Sequence, residues 1–363
     1  MAAALALHRA GVGITVFERA PVFTEVGTGM SLWPNATRVL QSLGVLERVM
    51  ARGDEVTQFN LQRPDGTAIA EIAMGGFDTP ALCVHRADLH RALFEPLPAG
   101  GLEPSQVFQS FVQHEAGVTA KFAGGREVQA DGLIGADGIN SVIRAQLHGA
   151  APPVYRGYCI WRGLAPNPGG IVRGHISETW GAGQRFGIMP IGQGRVCWYA
   201  TRNGPPSQPD AAEGRQGEVL KLFRDWHRPI PALIAATAAA DILKTDACDR
   251  PALRRWGRGG VTLLGDAAHP MTPNVGQGAC MAIEDAANLA KVLPGATDVA
   301  AAFRAYEKLR QARTAYIARQ ARRIGVIGQW RNPLLVHGRN FFTRLVLARP
   351  PDGQLNAVYA YKV

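Results

Sequence analysis

Apolar residues along the 363-residue chain switch between two spacings, and each switch marks an element. Residues 2–10 carry helix formers and stop at Gly11, a residue type that readily takes the left-handed conformation that ends a helix. Residues 14–19 alternate as a strand and close on Glu18 and Arg19. Two further alternating runs, 56–61 and 67–72, flank Arg63-Pro64-Asp65-Gly66, which predicts an antiparallel hairpin. A helical pattern then begins at His85 and Arg86. Residues 130–144 combine a buried-strand run, an Asp137-Gly138 turn and a helix start at Ser141. Beyond Pro152 the pattern changes: residues 160–164, 184–190 and 195–200 are aromatic and β-branched, with Gly and Pro clusters between them. That predicts a mostly antiparallel sheet. Residues 261–264 read as an apolar strand running into Gly265-Asp266, and Gly276-Gln277-Gly278 opens a helix through Ala290. A long helical pattern follows over residues 304–328.

Composition narrows the class. With 47% hydrophobic and 19% charged residues the chain reads as an ordinary folded protein of one elaborated domain or two. The longest apolar stretch, 230–243, is broken by Pro231 and Asp241 and falls short of a membrane span, so no membrane partner is expected. Residues 1–7 lack the basic start of a signal peptide. Five cysteines are scattered without a CxxC pair, which predicts free thiols and a cytoplasmic location. The histidines form no HxxxH pair, so no metal is expected, and the missing GxSxG argues against an α/β-hydrolase. The net charge of +10 draws on Arg304, Arg310, Arg313, Arg319, Arg322 and Arg323. Without aromatic residues in a stacking pattern beside them, these read as a solvated helix surface and not as a nucleic-acid stripe. The excess charge suits steering of anionic dinucleotides and carboxylated substrates.

The strand at 261–264, Asp266, the glycine loop and the helix N-terminus together suit a polyhydroxylated, anionic ligand. A carboxylate accepts hydrogen bonds from sugar-like hydroxyls, glycines let backbone N–H groups approach, and the helix end offers unpaired donors. The string from Gly260 to Pro270 with Pro273 and Gly276-Gln277-Gly278 resembles the second FAD-contacting motif of the single-component flavoprotein monooxygenases, which include the aromatic-ring hydroxylases. In that family Glu18 and Arg19 look like the ribose-binding end of the second strand. Residues 29–36, with Ser31, resemble the segment returning beneath the flavin, and Arg86 resembles the arginine near it. Residues 130–144, with Asp137, resemble the motif that handles both FAD and NAD(P)H. The resemblance spans residues 1–320 and implies cofactor contacts from Glu18, Arg19, Ser31, Arg86, Asp137, Asp266, Gly276, Gln277, Gly278 and Ala279.

The same resemblance implies an α/β fold. A Rossmann-like FAD-binding domain, truncated at its N-terminus, would comprise residues 1–53, 84–151 and 249–300. An inserted, mostly antiparallel substrate domain would comprise 54–83 and 152–248, with a C-terminal helical segment at 301–363. An acid such as Glu18 follows its glycine turn by about 20 residues, so that turn is expected to begin just before Met1, in an upstream coding extension of roughly 10–15 residues that also holds the first strand. The chain alone is then expected to hold FAD poorly and to precipitate.

The implied chemistry is reduction of FAD by NAD(P)H, addition of O2, and transfer of one oxygen from the flavin hydroperoxide to a small aromatic or N-heteroaromatic substrate. Donors around Gly276 to Ala279 would stabilise the reduced ring. A homodimer is one assembly the family allows. Arg185 resembles an arginine of the urate-hydroxylase-like members and is expected to orient an anionic or carbonyl-bearing substrate; an exposed strand arginine is the alternative. Where relatives carry a tyrosine, this chain has Cys197-Trp198, with Tyr199 on the opposite face from Trp198, which argues against a tyrosine-assisted, urate-type mechanism. His269 is expected to cap or pack within its loop. Two other readings stay open: an inactive remnant lacking the phosphate loop, and an epoxidase or reductase acting on an isoprenoid.

Overall fold

Strand pairing divides the molecule into two parts. The computed structural model describes residues 1–23, 27–98, 100–348 and 358–363. Its largest element is a seven-stranded sheet, in the spatial order Leu243–Asp249, Val154–Pro166, Arg195–Asn203, Gln184–Pro190, His175–Trp180, Gln58–Gln62 and Ala68–Ala73. All neighbours run antiparallel except His175–Trp180 beside Gln58–Gln62. The hairpin expected around Arg63 to Gly66 thus joins the expected sheet as the last two strands at one end.

Alternation along these strands makes the sheet two-faced. Trp161, Phe186, Ile188, Val196 and Trp198 point to one side and pack beneath the helices Gly214–Phe223 and Ile230–Ala236. There Phe186 stacks on Trp198 at 5.4 Å, and the Trp198 indole donates to Thr237 at 2.8 Å. The register puts Phe59, Glu178, Arg185, Gly187, Tyr199 and Arg162 on the opposite face.

The other part is built from short parallel pairs, Val16–Phe17 with Leu102–Glu103 and Leu133–Gly135 with Val261–Leu263. Small antiparallel sheets and the helices Ala2–Arg9, Pro34–Ser42 and Gly278–Val292 complete it. The strand expected over 14–19 pairs only at Val16 and Phe17, because its partner is two residues long and Glu18 folds back to accept from Ala20 N at 2.9 Å. Apolar residues of the three helices and of the strand Leu82–His85 share one core, with Leu5, Leu40, Val84 and Met281 at its centre. Among the described residues no helix is long and apolar enough to cross a membrane.

The helix Val299–Gly328 ties the parts together, and here the structure corrects the reading of its arginines as a solvated face. Arg310 is fully buried. Its Nη1 donates to Glu284 at 2.5 Å and its Nε to Asp285 at 2.7 Å, both carboxylates lying inside the helix Gly278–Val292. Arg313 adds a second cation on Glu284 at 2.7 Å, and Arg322 pairs with the buried Asp249 at 3.0 Å. Arg319 and Arg323 do face solvent. The helical spacing was legible, but the acids that draw three arginines inward lie in other elements.

Arg310→Met should therefore leave two buried carboxylates short of a cation and cost about 3–5 kcal/mol, whereas Arg319→Met should stay within about 0.5 kcal/mol of the parent. Urea denaturation of both variants measures the difference; equal midpoints would show that the buried cluster contributes nothing to the fold.

Candidate active site

Between the cavity-facing side of the sheet and the start of the helix Gly278–Val292 lies a cavity of about 1320 Å³. Ser31, Arg86, Arg185, Asp266, Gly276, Gly278 and Ala279 all line it, so seven of the residues singled out in the sequence converge. Glu18, Arg19, Asp137 and Gln277 do not line it. Glu18 caps its own turn through Ala20 N, and Arg19 is exposed. Asp137 caps the helix Val142–His148, accepting from Val142 N at 2.8 Å, while its neighbours Ala136 and Gly138 reach the cavity. Gln277 is buried and turned inward, accepting from Asn35 Nδ2 at 3.0 Å.

Asp266 sits on a single tight turn, Gly265–Ala267, that Asp285 holds from behind. One oxygen of Asp285 accepts from Gly265 N at 3.0 Å and from His269 Nε2 at 2.6 Å; the other takes Arg310. His269 is thus buried structure, anchoring the loop. The Asp266 carboxylate opens onto the cavity yet is walled by protein, and that desolvation holds its pKa above the ordinary value against the pull of His269 and Arg86. Beside it the helix Gly278–Val292 starts without a side-chain cap. Its first-turn N–H groups therefore keep their capacity to donate, next to the cavity-lining Gly278 and Ala279. A carboxylate acceptor, uncapped helix donors and the Arg86 cation on one wall fit a ligand with hydroxyls and an electron-rich ring.

The opposite wall belongs to the sheet. Arg185 is 2% exposed, so it is not the solvent-facing strand residue of the alternative reading. Its Nη1 donates to Glu178 at 3.1 Å, its Nη2 to Asn274, and its guanidinium lies 5.8 Å from the Tyr158 ring centre. Its Nε has no hydrogen-bond partner among the described residues. The long helix presses close here: a Cβ on Gly328 would stand 3.0 Å from Arg185 Cδ. Tyr199 lies across Gly187, where any Cβ would fall 2.1 Å from the phenol ring. Burial and the neighbouring Glu178 push the Tyr199 phenol well above its usual pKa, keeping it protonated. Burial likewise pushes the Cys197 thiol up to about 11 and lowers the Arg162 pKa.

Sequence reading missed Glu178, Asn274, Tyr158 and Arg162. Glu178 alone carried a signal: an acid between Ile176 and Trp180 in a strand must share their face. Because Glu178 offsets its charge, Arg185 offers a hydrogen-bond donor more than a free cation, which suits a carbonyl better than a carboxylate. Among the described residues no group of three or more His, Cys, Asp or Glu is placed to hold a metal ion.

Comparison with known proteins agrees with this layout. The profile of the family described as "FAD binding domain" matches residues 1–161 and 187–321. The chain is 39% identical to the aurachin C monooxygenase/isomerase of Stigmatella aurantiaca, over 96% of this chain and 92% of that protein. It is 32% identical to the 2-heptyl-3-hydroxy-4(1H)-quinolone synthase of Pseudomonas aeruginosa, over 95% and 91%. The crystal structure of Klebsiella pneumoniae HpxO with FAD and uric acid superposes with a TM-score of 0.88 at 26% identity, over 99% and 92%. The mixed α/β architecture with a sheet domain facing the cofactor side is the fold of these FAD-dependent hydroxylases.

The buried cluster behind Asp266 also makes a pH prediction. Burial alone would raise the Asp285 pKa, but the His269 and Arg310 charges overrule it and lower it from 3.8 to about 2. A depressed carboxylate stabilises the fold above its unfolded pKa and loses that contribution as pH falls through the folded value. Between about pH 4 and pH 2 the parent should lose about 2 kcal/mol that Asp285→Asn does not. Urea midpoints across that window test it; parallel curves would remove Asp285 from the acid transition.

Proposed function

The chain belongs to the FAD binding domain family and is a flavoprotein monooxygenase, and on that premise we propose that it uses FAD and NAD(P)H to place one oxygen atom of O2 on an electron-rich N-heteroaromatic ring bearing a carbonyl. The observation that carries this reading is the meeting, in one cavity, of the Asp266 and helix N-terminal wall with the Arg185, Glu178 and Tyr199 wall. The relatives' names support the ring class: one names a quinolone, and a solved relative holds uric acid. The balance is substrate C–H, O2, NAD(P)H and a proton giving substrate C–OH, NAD(P)+ and water.

FAD, when bound, supplies hydride acceptance and oxygen activation. Asp266 would accept a hydrogen bond from one of its hydroxyls, and the N–H groups of Gly278 and Ala279, with Ser31 and Arg86 on the same cavity lining, would hold its electron-rich ring. Glu18, Arg19 and Asp137 lie outside the cavity, and a role for them toward the more distant parts of the nucleotides rests on the motif resemblance alone. On the substrate side, the Arg185 guanidinium donates to the ring carbonyl. The protonated Tyr199 phenol fixes the ring's second polar group, and the surrounding side chains keep water from the reacting carbon.

Asp266→Ala should weaken FAD binding by about 1.5–3 kcal/mol, the scale for a hydrogen bond to a charged group, without lowering stability. Flavin retained as tightly as in the parent would refute its role.

Arg185→Lys keeps a cation beside Glu178 but removes the planar guanidinium donors. FAD affinity should stay nearly constant while KM rises by about 10-fold or more, or NAD(P)H oxidation uncouples with hydrogen peroxide release. Unchanged KM and coupling on every accepted ring would assign Arg185 to the scaffold.

A further inference from the structure

Past the ring-facing wall the cavity continues into an apolar compartment for which ring chemistry has no use. Leu61, Ile72 and Trp180 form its sheet side; Leu335, Phe342 and Val346, on the helix Pro333–Ala348, form the other. On that helix these residues recur at intervals of seven and four, so they share one face. Such a stripe is the pattern of a helix face packed on a core. Yet Phe342 is 65% exposed and Val346 54%, with Leu334 beside them at 83%. The helix leans on the edge strand Ala68–Ala73, while its apolar stripe overlooks the cavity and is left uncovered among the described residues. Contiguous apolar surface left open in this way marks a binding site more often than a fault of packing.

The polar group on the same stripe is already committed. Arg339 is buried, donating to Gly328 O at 3.1 Å and Gly181 O at 3.2 Å, with its guanidinium 5.1 Å from the Trp180 ring centre. It lends the compartment a flat, satisfied wall and no free cation. The compartment is therefore shaped and lined for hydrocarbon, and it is continuous with the position of the ring.

We propose that this compartment binds a long alkyl or isoprenoid-like chain carried by the ring substrate. The substrate class is then amphipathic: a carbonyl-bearing heteroaromatic head at Arg185 and Tyr199, and an apolar tail between the edge strands and the helix Pro333–Ala348. The assignment rests on the ring reading above and deepens it.

The test is calorimetric titration of the FAD-saturated chain with 2-alkyl-4(1H)-quinolones from methyl to nonyl. Each added methylene should tighten binding about 3–4-fold until the compartment is full, with an increasingly negative heat-capacity change. Gly338 lines the same stripe, and a Cβ built there meets nothing within 4 Å. Gly338→Phe therefore fills the compartment, and losing a mid-helix glycine does not threaten the fold. It should leave the methyl compound's affinity within about twofold and weaken the nonyl compound at least about 10-fold, the transfer gain of two or more methylenes. Affinity independent of chain length, or a variant that weakens methyl and nonyl members equally, overturns the tail site while the ring reading stands. If no member binds, the methyl compound included, the ring reading fails and the tail site falls with it.

Discussion

Arg310, fully buried between Glu284 and Asp285, is the contact on which the functional half of the molecule hangs. Asp285 reaches from it to Gly265 N and His269, and so fixes the turn that carries Asp266. Glu284 reaches to Asn35 at 2.7 Å, and Asn35 in turn meets Gln277 at the start of the helix Gly278–Val292. One ionic cluster therefore sets both the carboxylate acceptor and the helix-end donors of the cofactor wall. Buried ion pairs of this kind add little net stability over an apolar substitute, since desolvation offsets their attraction. Their contribution here is geometric: the partners cannot shift without stranding a charge, so the wall they hold cannot drift.

The sheet supplies the second wall by a different device. Strand alternation sends Trp198 and Phe186 into an apolar core and Tyr199 and Arg185 to the cavity, and the core face locks the register of the chemical face. Gly187 makes room for the Tyr199 ring, and Glu178 neutralises Arg185 in place. The result is a wall with directional hydrogen bonding, where Glu178 offsets the Arg185 charge and Arg162 donates to the neutral Thr245. On the proposed reading it receives a carbonyl-bearing ring, and its apolar continuation along the helix Pro333–Ala348 receives the hydrocarbon.

What the sequence by itself determined was local. The edge hairpin, the alternating strands around Arg185 and Tyr199, the turn at Asp266 and the glycine-started helix were all legible, because each depends on neighbours within a few residues. Resemblance of those strings to known motifs carried the family and most of one cavity wall. The tertiary structure alone decided the partnerships. Arg185 meets Asn274 across 89 positions, and Asn35 meets Glu284 across 249. Arg310 was read as a surface residue because helical spacing says which residues share a face and nothing about what that face meets. The open apolar stripe of the helix Pro333–Ala348 has the spacing of a packed helix face, and only its place beside the cavity shows that nothing of the chain described here covers it. Charge pairing and burial are set by contacts distant in sequence, so they are decided when elements pack and not before.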